Sequence, residues 1–113
     1  MTGKCKAVAI YIEEDDRWKG KTLYLAIVER AKQEGLAGAT VTKGIMGFGA
    51  NSVVHTASIL LLSEDLPVTV TIIDEAAKIE RFLSVLEEMV EEGLVATWDV
   101  DVHLYRRGRD RES

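Results

Sequence analysis

Two stretches of the chain follow one plan. IVERAKQEGLAGATVT (residues 27–42) and LEEMVEEGLVATWDVDV (residues 86–102) each run from the end of a helix through Glu-Gly-Leu and a short link into a strand. An apolar strand precedes each helix. A chain that reads strand-helix-strand twice points to an α+β domain of the split βαβ kind, the ferredoxin-like β-α-β-β-α-β sandwich. In that plan two helices cover one face of a four-stranded sheet.

Periodicity supports each element. Over residues 21–34 the apolar side chains Leu23, Tyr24, Ile27, Val28 and Ala31 recur at spacings of three and four, which is one face of a helix. Over 75–92 the stripe is Ile79, Phe82, Leu83, Leu86, Met89 and Val90. Asp74 is the expected N-cap of this second helix. Gly35 and Gly93 are the expected left-handed C-terminal caps. Strands are expected over 6–12, 39–43, 67–73 and 95–105. The first places Val8, Ile10 and Ile12 on one face, and the third alternates Thr69 and Thr71 with Val68, Val70 and Ile72. The last sets Trp98, Val100, Val102 and Leu104 against Asp99, Asp101 and His103. Single apolar faces suit an antiparallel sheet covered on one side. Thr69, Thr71 and Asp101 are expected on the other face, toward solvent or another subunit.

The 113 residues, 47% of them hydrophobic, suit one small domain. We take it as residues 1–105, with a long loop over about 44–65 between the second and third strands and an Arg-rich tail over 106–113. A loop of that length is uncommon without a task. Its apolar run Ile59-Leu60-Leu61-Leu62 suits either contact with a neighbouring chain or an extension of the third strand into the core. The lone Cys5 excludes an intramolecular disulfide and a four-cysteine zinc site, and it reads as a small buried hydrophobe. No run is long and apolar enough to span a membrane, and acidic residues stand where a signal-peptide cleavage site would be. A cytoplasmic protein with no direct membrane insertion is expected.

Net charge is −5. Residues 106–113 hold four Arg against two acids, so the remainder carries −7. An acidic body disfavours nucleic-acid binding, which needs a basic face. The Arg-rich end can still grip one phosphorylated ligand, or simply be a solvated terminus.

The segment TKGIMGFGANSVVHT (residues 42–56) fits neither helix nor strand. Gly44, Gly47 and Gly49 leave backbone N–H groups free to converge on an anion, with Phe48 between the last two and His55 at the far end. The pattern is neither the dinucleotide fingerprint nor the P-loop; glycines spaced this way also mark a loop that has to bend. His55 could hydrogen-bond a phosphate or lie at a surface. The run Glu13-Glu14-Asp15-Asp16 offers hard oxygen ligands, but four adjacent acids cannot all turn to one ion, and no metal is expected. Two separated histidines add little to a metal case.

The order GLAGATVTKGIMGFG, then LPVTVTIID, resembles the PII signal-transduction proteins. The spacing of Trp18-Lys19-Gly20-Lys21, GIMGFG, His55-Thr56 and SEDLPV resembles more closely the short PII-like proteins catalogued as a conserved domain of unknown function, over nearly the whole chain to Tyr105. The resemblance implies a homotrimer without enzymatic activity, a nucleotide in clefts between subunits, and a central loop that contacts a protein target such as a membrane transporter or an enzyme. It assigns nucleotide contacts to Gly38, Thr40, Gly47 and Gly49, within a candidate set that also holds Gly44, Phe48 and His55. Arg106 and Arg107 are the nearest candidates for holding phosphates. Where PII proteins carry Arg-Gln after Gly-Phe-Gly, this chain has Ala50-Asn51, and the turn before the last strand lacks the family's lysine. AMP or ADP is therefore expected rather than magnesium-ATP. The alternatives are a CutA-like trimer, metal-responsive or a scaffold, and a small phosphate-ester or acyl-phosphate hydrolase. The hydrolase is disfavoured because the first strand exits into carboxylates that repel phosphate.

Overall fold

The computed structural model describes residues 1–49, 66–106 and 108. Chain order is β1 (Gly3–Glu13), β2 (Arg17–Trp18), β3 (Lys21–Thr22), α1 (Leu23–Gln33), β4 (Thr40–Lys43), β5 (Pro67–Asp74), α2 (Ala76–Met89) and β6 (Leu94–Val102). The main sheet is ordered β4-β5-β1-β6, and all three pairings are antiparallel. Each strand-helix-strand half is split by a strand of the other half, as the repeat in the sequence implies.

The core lies between this sheet and the two helices. Val8, Ile10 and Ile12 of β1 and Val68, Val70 and Ile72 of β5 meet Ile27 of α1 and Ile79, Phe82, Leu86 and Met89 of α2, all of them buried. Burying a side chain of this size contributes roughly 1.5–3 kcal/mol. Tyr24, Val28, Leu83 and Val90 pack around the rim of this cluster, so both helical stripes face the core as expected. Cys5 is buried and reduced.

One helix end is as expected and the others differ. At α1, Gly35 has φ +78; its N–H reaches Lys32 O and that of Leu36 reaches Ala31 O, the paired bonds of a Schellman cap. Gly93 is not a cap: α2 ends at Met89 with Val90 beyond it. A Cβ on Gly93 would lie 2.7 Å from Tyr11 O, so the glycine lets the turn into β6 pass close over β1. Asp74 is not the N-cap either. Glu75 takes that place without a side-chain cap bond, while the Asp74 carboxylate accepts from Glu75 N at 2.6 Å and from Ala37 N at 2.8 Å. The first helix also starts two residues later than expected, because Lys21–Thr22 pairs with Arg17–Trp18 in a short hairpin.

The last strand is turned the other way. Its register places Trp98 opposite Ala7, Val100 opposite Cys5 and Val102 opposite Gly3. Directly opposed residues share a face, so the apolar side of β6 joins the sheet face that the helices leave uncovered. Asp101 and Asp99 oppose Lys4 and Lys6, and Lys6 Nζ bonds Glu80 of α2 at 3.0 Å. Asp101 is therefore on the helix side, contrary to the expectation that it lines the uncovered face. Lys6 Nζ also lies 3.8 Å from Asp99, an opposite-charge cross-strand pair that favours this register. Thr69 and Thr71 do lie on the uncovered face, with Thr42 and Thr40 opposite them on β4.

Candidate functional site

One end of the sheet gathers the end of β4, the start of β5 and the turn after β1. Gly44 N donates to Pro67 O at 2.7 Å, and Glu14 N to Leu66 O at 2.9 Å. Lys43 Nζ reaches Glu14 Oε2 at 2.6 Å, and that hydrogen bond raises the lysine above its ordinary value. Close contact with Pro67 calls for glycine at 44 and 47, while the neighbour of Gly49 is the movable end of the Glu13 side chain. A Cβ on Gly44 or Gly47 would come within 2.8 or 2.9 Å of Pro67 Cγ, and one on Gly49 within 2.6 Å of Glu13 Oε1. The backbone from 44 to 49 thus folds directly over the start of β5 and beside the β1 turn. It leaves Phe48 71% exposed, with Ile45 at 87% and Met46 at 50%.

Gly38 and Thr40 stand elsewhere. Thr40 opens β4 opposite Thr71, and Gly44 lies four residues further along, about 13 Å at the rise of a strand. The link holding Gly38 is fixed by the Asp74 bond to Ala37 N. β4 is an edge strand, exposed throughout, so Thr40 and Thr42 face open space at the border of the uncovered sheet face.

Arg106 is exposed, four residues beyond the end of β6. β6 is the opposite edge of the sheet, with β5 and β1 between it and β4. Three strand spacings separate the two edges, roughly 14 Å. A single chain therefore brings Gly44, Gly47, Phe48 and Gly49 together but leaves Gly38 and Thr40 at a second position and Arg106 at a third. His55 and Arg107 lie outside the described residues, as do Ala50-Asn51 and the apolar run 59–62. His103 is exposed just past β6.

Two acids of the run after β1 hold local bonds. Asp16 Oδ2 accepts from Glu13 N at 2.9 Å, and Glu14 holds Lys43. No cluster of three metal-ligating side chains occurs among the described residues. A cavity of about 240 Å³ lies where α1 begins and α2 ends, lined by Asp16, Arg17, Leu23, Met89, Glu91 and Glu92. Three carboxylates against one arginine make it a poor phosphate site. Sequence reasoning missed the anchoring role of Asp74; its signal was a lone acid closing an apolar strand. It also missed the hairpin of residues 17–22, for which Lys-Gly before the helix was the cue.

The DUF190 family profile, described as an uncharacterized ACR, matches residues 5–102. A UPF0166 protein of Aquifex aeolicus is 40% identical over 99 residues, covering 88% of this chain and 93% of the relative. A UPF0166 protein of Methanocaldococcus jannaschii is 38% identical over 104 residues, covering 91% and 94%. Among solved structures, CPII of Thiomonas intermedia K12 bound to ADP and bicarbonate is similar with a TM-score of 0.58 at 16% identity, covering 90% of this chain and 91% of that one. CPII bound to ADP, AMP and acetate gives 0.54 at 15% identity, covering 92% and 93%. At such identity the likeness is one of fold.

Proposed function

The chain belongs to the DUF190 family and has a PII-like fold, and on that premise we propose that it is a homotrimeric regulator that binds AMP or ADP between subunits without turning it over. In this reading the nucleotide lies along the exposed β4 edge, over Gly38, Thr40 and the backbone of Gly44, Gly47 and Gly49. The phosphates meet Arg106 and Arg107 of a neighbouring subunit. Nucleotide at the cleft changes how the segment 44–65 meets a protein partner, which is coupling between two sites through shared backbone.

The observation that carries the reading is the division of the candidate residues between opposite edges of one sheet. Thr40 lies on β4 and Arg106 follows β6, the opposite edge of the sheet, and in an assembly of chains the β4 edge of one copy can meet the β6 end of another. The uncovered sheet face supports it as well. Trp98 and Tyr11 are 46% and 47% exposed, and Ile73 and Leu94 join them. An apolar patch of this kind marks an interaction surface. That the similar CPII structures carry ADP, and in one case AMP, favours an adenine nucleotide here.

The test is calorimetric titration of the full chain with AMP, ADP and ATP, with and without magnesium, followed by chromatography of the nucleotide after incubation. We expect saturable binding of AMP or ADP. Thr40→Val and Arg106→Ala should each weaken it by about tenfold, equivalent to about 1.4 kcal/mol. Absence of binding refutes the nucleotide cleft, and conversion of the nucleotide refutes the non-enzymatic assignment.

A further inference from the structure

The hairpin formed by β2 and β3 is an unusual object on this molecule. Arg17, Lys19 and Lys21 put three positive charges within five residues, so that the remainder of the chain carries −8. All three are exposed. Its two-residue turn is Lys19-Gly20, with φ +50 and +80. Positive φ at both central positions is the type I′ geometry, for which Asn-Gly is the favoured pair. Among the described residues Lys19 is the one non-glycine residue at positive φ, a backbone state that lysine disfavours. Turn geometry by itself favours Asn or Gly there.

The Lys19 side chain is held in position. Lys19 Nζ lies 4.7 Å from the centroid of the Trp18 ring, and Trp18 itself packs against the core. The indole thus anchors the hairpin below and steadies the ammonium above. Lys21 is engaged by Glu29 at 3.3 Å, and Arg17 donates to Thr22 Oγ1. Among the described residues no carboxylate is ion-paired with Arg17 or Lys19.

The hairpin shares its root with the glycine segment. Residues 13–16 lead into it, and those same residues hold Lys43 and adjoin Gly49. Ile45, Met46 and Phe48 are the exposed apolar side chains of that segment. The turn that leads into the cationic hairpin is thus the same one against which the segment carrying these apolar side chains is held. We propose that the hairpin and these side chains form one docking surface for an acidic peptide segment of a partner protein, with large apolar residues flanked by Asp or Glu. This rests on the partner-binding part of the function proposed above and gives the partner its chemistry. Charge favours a short segment over a long polyanion or an anionic membrane. Asp16, Glu91 and Glu92 line the cavity beside Arg17, so the acidic residues of the segment belong at Lys19 and the tip, a footprint smaller than a polyanion or a membrane needs.

The experiment selects short random peptides displayed against the full chain, then measures one enriched peptide by fluorescence anisotropy. Enrichment of acidic–apolar sequences is expected, with affinity falling about tenfold in Arg17→Glu/Lys19→Glu and weakening with added salt. Lys19→Gly supplies the sharper readout. It relieves the turn, so thermal stability should rise while peptide binding falls, a pairing that a structural role would not give. Peptides without acidic residues, no enrichment at all, or equal binding by Lys19→Gly would each overturn the proposal. So would hairpin-dependent binding of oligo(dT) or of phosphatidylserine–phosphatidylcholine vesicles in preference to the peptide. ADP titrated into Lys19→Gly should bind as in the unmodified chain, so a failure of the docking surface is separable from a failure of the nucleotide cleft.

Discussion

Asp74 is the buried charged side chain among the described residues, at 2% exposure, and it joins the two halves of the repeat. One carboxylate oxygen takes Ala37 N from the link after α1, the other takes Glu75 N at the start of α2. Two backbone donors offset the cost of removing the carboxylate from water. Asp74→Asn replaces one acceptor with an amide that faces an N–H donor, leaving that donor unsatisfied. We expect a loss of about 1–3 kcal/mol, measured by urea denaturation, and faster hydrogen exchange at Ala37 than at the neighbouring helix amides. A matched loss produced by Ile79→Val should leave the Ala37 amide protected. The carboxylate was visible in the sequence, but its partner at Ala37 is 37 residues away and no local pattern announces it.

Strands and helices are fixed by burial, and their ends by polar contacts. The Lys43–Glu14 pair ties the end of β4 to the turn after β1, and Lys6–Glu80 ties β1 to α2. In both cases a hydrogen bond to the glutamate raises the lysine above 10.5. A raised lysine favours the folded state fully below the unfolded value, and that contribution disappears as pH climbs through the folded one. Stability should therefore decline as pH rises beyond 10.5, and Lys6→Met/Lys43→Met should flatten that part of the decline, as followed by urea midpoints on either side of it. The effect is small because surface pairs are screened. Helix existence and facing were legible at this scale, since Ile79, Phe82, Leu86 and Met89 recur with the helical period. Helix limits were not, because Thr22 and Val90 are set by a hairpin and a crossing strand rather than by local preference.

For the whole molecule the uncovered sheet face is decisive. Ala7 and Ala9, at 0% and 1% exposure, sit at its centre, Ala7 between Ile73 and Trp98 and Ala9 between Thr71 and Ala96, with Tyr11 next along β1. A flat apolar face of this kind suits contact with copies of the same chain. Trp98→Glu places a charge in it, and we expect the proposed trimer to give way to a monomer in light scattering after size-exclusion chromatography. Circular dichroism should be retained, because the helix-side core is untouched. A trimer that persists with Trp98→Glu would exclude this face as the interface. Nucleotide binding should be lost with the trimer, since neither edge alone holds the set from Thr40 to Arg106.

From the sequence alone came the repeated strand-helix-strand plan, the two helical stripes, the buried faces of β1 and β5 and the family likeness. All of these are local or periodic, and a period is printed in the order of residues. The tertiary structure alone decided which way β6 faces. Its alternation of Trp98, Val100 and Val102 with Asp99 and Asp101 is equally consistent with either face, and the register against β1, with Asp99 opposite Lys6 and Asp101 opposite Lys4, shows which one is taken. It likewise decided that the glycines of 44–49 are shaped by Pro67 and Glu13, and that Thr40 and Arg106 stand on opposite edges. Contacts between residues far apart in sequence depend on register and strand order, and neither is written in any single stretch of the chain.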